Sequence, residues 1–172
     1  MIRSKLTLAT LCTLVMQPVL AADLTVDIEV PAFDASDYRR PYVAVWLERP
    51  DNSVAANLAV WYDIDMRDAK GTEWLKDMRL WWRRTGRDLE VPVDGLTSAT
   101  RPPGMHTLTF STKQAPLSEL DDGEYRLIIE ASREHGGREV VSLPVQWPLV
   151  ADDTHRAKGE HELGQIIVRL AP

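Results

Sequence analysis

The run Leu24-Thr25-Val26-Asp27-Ile28-Glu29-Val30 puts an apolar side chain at every second position, and six comparable apolar runs follow at 42–47, 58–64, 105–110, 125–131, 140–147 and 163–170. A period of two marks a strand with one buried face. Turn-forming residues punctuate the runs. Arg49-Pro50-Asp51-Asn52-Ser53 separates the second from the third, Asp121-Asp122-Gly123 precedes the fifth, and Gly136-Gly137 parts the fifth from the sixth as a hairpin turn does. Short strands at this spacing lead to an all-β fold, an immunoglobulin-like antiparallel sandwich. The charged segment 152–162 reads as a long exposed loop before the last strand.

One segment keeps a different period. Between 72 and 84, the residues Trp74, Leu75, Met78, Trp81 and Trp82 recur near helical spacing, and Gly86 follows as a stop. This predicts one short amphipathic helix laid over the sheet, with Thr72 as N-cap, Glu73 in the first turn, and Arg83 and Arg84 at the negative end of the dipole. An aromatic stripe of this kind is the pattern of a core-facing helix; the other reading is a cofactor wall.

The N-terminus predicts export. Arg3 and Lys5 precede an apolar run over 6–20, and Val19-x-Ala21 fits the small-residue rule for cleavage. The expected division is a cleaved signal peptide at 1–21 and one β-sandwich domain at 22–172. The apolar run is short for a membrane span, so the expected product is a soluble periplasmic protein without membrane insertion. Its one cysteine, Cys12, lies in that run. The exported domain then has no disulfide, thiolate ligand or thiol nucleophile, and core burial must hold it together. Six tryptophans serve that purpose. The formal charge of -6 falls to about -8 without Arg3 and Lys5, which argues against nucleic acid or an anionic membrane surface as partner.

The chemistry concentrates in Asp94-Gly95-Leu96-Thr97-Ser98-Ala99-Thr100, followed by Arg101-Pro102-Pro103-Gly104. As composition alone, an Asp-Gly turn followed by small residues is ordinary loop chemistry. As a pattern, it is similar to the acceptor sites of proteins that carry flavin mononucleotide (FMN) linked to Thr or Ser through a phosphoester. Such a site needs a hydroxyl on extended, accessible chain with small neighbours, and Pro102-Pro103 keeps the segment from continuing as a helix. Ser98 stands where such sites commonly have glycine.

Three more stretches carry a wider resemblance: Pro41-Tyr42-Val43-Ala44-Val45-Trp46-Leu47-Glu48, then Trp74-Leu75-Lys76-Asp77-Met78-Arg79-Leu80-Trp81-Trp82-Arg83, then Glu130-Ala131-Ser132-Arg133-Glu134-His135-Gly136-Gly137-Arg138-Glu139. With Thr97 to Gly104, which follows a Ser/Thr-Gly-Ala-Thr-Arg-x-Pro-Gly stretch except for Ser98 at the glycine, they resemble a family of predicted periplasmic proteins of unknown function. The resemblance implies association with PepSY-type membrane proteins and an ApbE-type flavin transferase. It further implies Thr100 as the FMN acceptor and Asp94 as the acidic recognition position, with Thr97, Ser98, Ala99 and Arg101 completing the cofactor-binding segment. The segment 117–131 is also similar to the immunoglobulin-like domain of flagellar hook-capping proteins, which bears on architecture alone.

Two function classes follow. One is a periplasmic electron carrier, a redox relay rather than a turnover enzyme, with covalent FMN on Thr100 and a PepSY-type or other membrane redox protein as partner. Arg101, Arg83 or Arg84 would then steady the reduced ring, and Trp81 or Trp82 would stack on it. The other is a cofactor-free binding or assembly module that docks on a membrane protein through its loops. His135 is a weak metal candidate with His155 or His161, at no recognised ligand spacing; beside two glycines it reads as a hairpin-end residue. Glu134, Glu139, Arg133 and Arg138 read as a surface ion-pair cluster. No serine lies in a nucleophile-elbow context.

Overall fold

Strand β1 (Asp23–Val30) is hydrogen bonded on both edges, to β5 (Gly104–Ser111) on one side and β9 (Gln165–Ala171) on the other. Its register places Val26 opposite both Leu108 and Val168. Strand β8 (Asp153–Lys158) pairs with β9 and completes a sheet of order β5-β1-β9-β8. These strands belong to a computed structural model that describes residues 23–34 and 38–172. The signal peptide expected at 1–21 lies outside the described residues.

A second sheet has the order β4-β3-β2-β6-β7, from β2 (Tyr42–Glu48), β3 (Val54–Tyr62), β4 (Thr97–Ala99), β6 (Gly123–Ser132) and β7 (Arg138–Trp147). The two sheets share one core. Leu24, Val26 and Ile28 from the first meet Val43, Val45, Leu127 and Ile129 from the second, each at most 1% exposed. The protein is therefore mostly β and sandwich-like. Burial of these side chains is the main favourable term holding a disulfide-free domain together.

The second sheet is covered on its outer face as well. Ala44, Trp46, Val60, Tyr62 and Ile128 point away from the first sheet and pack under Leu75, Met78 and Trp81. That is why β2 is an unbroken apolar run instead of an alternating one: every residue from Val43 to Glu48 is buried. A strand buried on both faces has no polar side to show.

The covering layer differs from the single helix expected over 72–84. The chain runs through 3₁₀ turns from Arg67 to Asp77, breaks at Met78 (φ −76°, ψ 72°), and forms one short α-helix, α1 (Arg79–Arg84). Leu75, Met78 and Trp81 keep their apolar face across the break, so the sequence spacing survives although the helix does not. Thr72 is not an N-cap; its hydroxyl donates to the Ala69 carbonyl at 2.8 Å. Gly86 does close the helix for a packing reason. A Cβ there would lie 2.4 Å from the Trp81 ring.

Two strands depart from the expected set. The segment read as an exposed loop over 152–162 holds β8, whose exposed Thr154, Arg156 and Lys158 alternate with the half-buried His155 and Ala157. Strand β4 is three residues long and pairs with β3 in parallel, Val60 with Thr97 and Tyr62 with Ala99, in a sandwich whose other pairings are antiparallel. The expected hairpin is present, with β6 and β7 in register from Gly123–Trp147 to Ser132–Arg138.

Candidate functional site

The parallel strand β4 is the middle of the singled-out motif. A turn delivers it: the backbone N–H groups of Leu96 and Thr97 both donate to the Val93 carbonyl, and Gly95 takes φ 75°, which suits glycine. The Thr97 hydroxyl locks that turn, donating to Val93 O at 2.9 Å and accepting from Val93 N–H at 3.0 Å. Thr97 is thus committed to the turn. Asp94 sits exposed at its tip.

Beyond the turn the chain is held on one edge alone. Val60 N–H donates to Leu96 O, and Thr100 N–H donates to Tyr62 O. Thr97, Ser98, Ala99 and Thr100 are all half-buried. The Thr100 hydroxyl has no hydrogen-bond partner among the described residues. Arg101 folds back, its guanidinium 5.5 Å from the Trp61 ring centroid and 3.5 Å from the Ser98 hydroxyl. His106 meets the same indole edge-on at 5.8 Å and bonds the Pro102 carbonyl at 2.7 Å. The Trp61 indole N–H is buried without a partner among the described residues.

Thr100 and Ala99 line a cleft of about 300 Å³ at the end of the second sheet where β2 begins and β3 and β6 finish. Tyr42, Tyr38 and Trp74 supply its aromatic lining, Arg39 and Arg40 its cations, and Asp63, Asp65, Asp77 and Glu134 its carboxylates. Burial pushes the Tyr42 hydroxyl up to about 12; the hydrogen bond from the Asp63 backbone opposes this, and the Asp63 and Glu134 carboxylates add to it. Tyr42 is therefore a neutral phenol at any physiological pH. Gly71 lies so close to the Asp63 carbonyl that a Cβ would come within 1.9 Å of it, which sets the covering layer tightly against this end of β3.

The wall that carries Tyr38 is fixed by Arg133. Its guanidinium lies 4.4 Å over the Phe33 ring and 5.9 Å from the Tyr38 ring, while it pairs with Glu162 at 2.8 Å and 3.1 Å. Arg133 and Glu162 are 12% and 3% exposed, so this is a buried pair and not part of a surface cluster. Glu139 likewise has another role than surface pairing. It accepts the backbone N–H groups of Glu160, His161, Glu162 and Leu163. Arg138 pairs with the buried Glu130.

Not every residue of the motif meets in one place. Asp94 and Thr97 line a separate cleft of about 380 Å³; Asp63 borders both it and the cleft of Thr100. Trp81 is fully buried beneath the sheet's covering layer and is not available to stack on a ligand. Trp82 leans on the same cluster, 6.4 Å from Trp81. Arg83 and Arg84 line a cleft at the opposite end of β3, beside the turn Asp51–Ser53, and Arg84 pairs with Glu48 at 3.2 Å. Neither guanidinium belongs to the cleft of Thr100. His135 is an exposed turn residue with φ 56° between β6 and β7, as its glycine neighbours suggested. Among the described residues no group of three or more His, Cys, Asp or Glu is arranged to hold a metal.

Neither Tyr42 nor Tyr38 was singled out from the sequence as a site residue, and Trp74 entered only as one member of the stripe read as core-facing or, alternatively, as a cofactor wall. Trp74 lies on the 3₁₀ stretch ahead of the break at Met78 and is 39% exposed.

With this geometry in place, the family model adds its finding: residues 23–165 match the one described as Predicted periplasmic protein (DUF2271). The chain belongs to that family. The DUF2271 protein is periplasmic by family, and no helix among its described residues is long and apolar enough to cross a membrane. No curated protein and no solved structure matches the chain.

Proposed function

We propose that the protein is a periplasmic electron carrier whose FMN is esterified to Thr100. The observation that carries this reading is the setting of Thr100: a hydroxyl with no partner among the described residues, at the end of a three-residue edge strand, opening on a cleft with aromatic walls. A transferase of the ApbE type would supply the group from FAD. The Thr100 Oγ–P bond forms, the diphosphate P–O bond of FAD breaks, AMP leaves, and the hydroxyl proton passes to a base of the transferase. Bound there, the flavin takes electrons from a membrane redox protein, of PepSY type by the family resemblance, and passes them on.

The chain's own residues would serve three tasks. Ser98 and Ala99 keep the acceptor flanked by small side chains, and Asp94 offers an exposed carboxylate for recognition at the turn. Arg101, Arg39 and Arg40 are the cations near enough to offset the phosphodiester charge. The cleft's aromatic walls suit a planar ring, and its volume of about 300 Å³ lies at the small end of ligand sites. The sandwich itself reads as immunoglobulin-like in plan, from its two stacked sheets and the β6–β7 hairpin.

Co-expression with an ApbE-type transferase tests the reading. The wild type and Thr100→Ser are expected to show flavin fluorescence on a denaturing gel, and Thr100→Ala none. A dark wild-type band beside a labelled control acceptor would leave the cofactor-free binding module as the function.

A further inference from the structure

We propose that the flavin ring tethered to Thr100 docks in the cleft against Trp74 and Tyr42. This rests on the reading of Thr100 as FMN acceptor and adds where the ring sits and which side chains touch it.

The placement follows from reach and from the supply of stacking surface. A ribityl phosphate tether spans only a few bonds, so a depression that Thr100 itself borders is within reach of its ring. The cleft of about 300 Å³ is such a depression, with Thr100 and Ala99 in its lining. Large apolar side chains exposed among the described residues are Ile64, Trp74, Met105 and Val150. The single aromatic one of these, Trp74, is in this cleft. Exposing an indole costs burial energy that the neighbouring stripe residues Leu75, Met78 and Trp81 all recover. A planar aromatic ligand is the partner such a surface fits. Tyr42 adds a neutral hydroxyl that can donate to a ring carbonyl, because its proton is held far above neutral pH.

The same lining gives the docked ring a charge environment. Asp63, Asp65, Asp77 and Glu134 face it from three elements, against Arg39 and Arg40. Arg39 lies 3.9 Å from Glu134, so part of that positive charge is already engaged. A net acidic lining opposes the extra negative charge of a reduced ring, as expected of a carrier that gives electrons up readily.

Stacking on indole or phenol quenches flavin fluorescence by electron transfer to the excited ring, and this supplies the test. Protein co-expressed with the transferase is quantified for attached FMN by intact mass, and fluorescence is read per attached flavin. Trp74→Ala is expected to raise that yield several-fold over wild type, Trp74→Phe by less, and Val150→Ala, an exposed apolar residue outside the cleft, not at all. In a second arm, riboflavin is titrated into protein made without transferase, where wild type is expected to quench it saturably and Trp74→Ala to lose the effect. Attached flavin with equal yield in wild type and Trp74→Ala would overturn the docking while leaving Thr100 as acceptor. Absence of any mass shift would overturn the acceptor reading, and riboflavin that then also fails to bind would overturn the cleft as a flavin seat.

Discussion

The backbone N–H of Trp81 donates to the buried carboxylate of Glu130 at 2.7 Å, across 49 positions of sequence. Leu80 N–H donates to the other oxygen at 3.0 Å, and Arg138 neutralises the pair from β7. A residue of β6 thus caps α1, whose own N-terminal side chains do not. The cap joins the helix to the sheet and holds the covering layer in place over Trp46 and Tyr62.

Glu130→Ala should therefore loosen that layer. It removes two charge-assisted hydrogen bonds at a helix N-terminus and leaves the Arg138 guanidinium unpaired, for a loss of about 3 kcal/mol. Because Arg138 is 35% exposed, it can turn to water, which keeps the loss below that of a fully buried pair. Glu130→Gln retains one acceptor and should lose about half as much. Urea unfolding of the two variants, followed by tryptophan fluorescence, measures both values.

Glu139 should make the loop 159–164 sensitive to acid. Burial alone would push its carboxyl up, but four backbone N–H groups outweigh burial and bring it below the usual glutamate range. A carboxylate depressed in the folded state contributes stability that is present above the unfolded value and lost as pH falls through the folded one. Hydrogen exchange of the amides of Glu160 to Leu163 should stay slow from neutral pH down to the ordinary glutamate value of about 4.3. Below that, intrinsic-rate-corrected protection should decline. Glu139→Gln should exchange faster at neutral pH and lose this pH dependence.

Thr97 and Thr100 are predicted to separate structure from chemistry. Thr97→Val removes both hydrogen bonds that lock the turn at Val93 and should destabilise the protein by about 1–2 kcal/mol. It should still accept FMN. Thr100→Ala should change stability by less than about 0.5 kcal/mol, since its hydroxyl has no partner among the described residues to lose. Thermal unfolding paired with in-gel flavin fluorescence distinguishes the two, and a Thr97→Val protein that folds yet remains dark would place the acceptor elsewhere.

Strands with strong local pattern were readable from the sequence. The runs at 24–30 and 105–110 match β1 and β5 to within a residue at each end, and the β6–β7 hairpin follows from Gly136-Gly137. Strand β3 begins at Val54, ahead of the expected 58, because Ala55, Ala56 and Asn57 carry little β signal of their own; Val54, Ala56 and Asn57 are strand by pairing with β2, and Ala55 falls at a register shift. Strand β8 was hidden by its charge: an outer strand that exposes Thr154, Arg156 and Lys158 looks like a loop. Strand β4 left no local trace, since a parallel three-residue pairing is made by β3 far away in sequence. The segment 94–101 stood out in the sequence for its residue types; the cleft beside it did not. That cleft joins Tyr42, Trp74 and Thr100 from three distant segments, and Trp74 lies on a 3₁₀ stretch that does not continue into α1.

The central claim is that Thr100 carries FMN, and the most direct measurement is intact mass followed by peptide mapping of protein isolated from a periplasm with an active flavin transferase. The account predicts a mass increase equal to one esterified FMN, located on the peptide that contains Thr100 and lost in Thr100→Ala. Unmodified polypeptide mass, with a control acceptor fully labelled in the same cells, would contradict it.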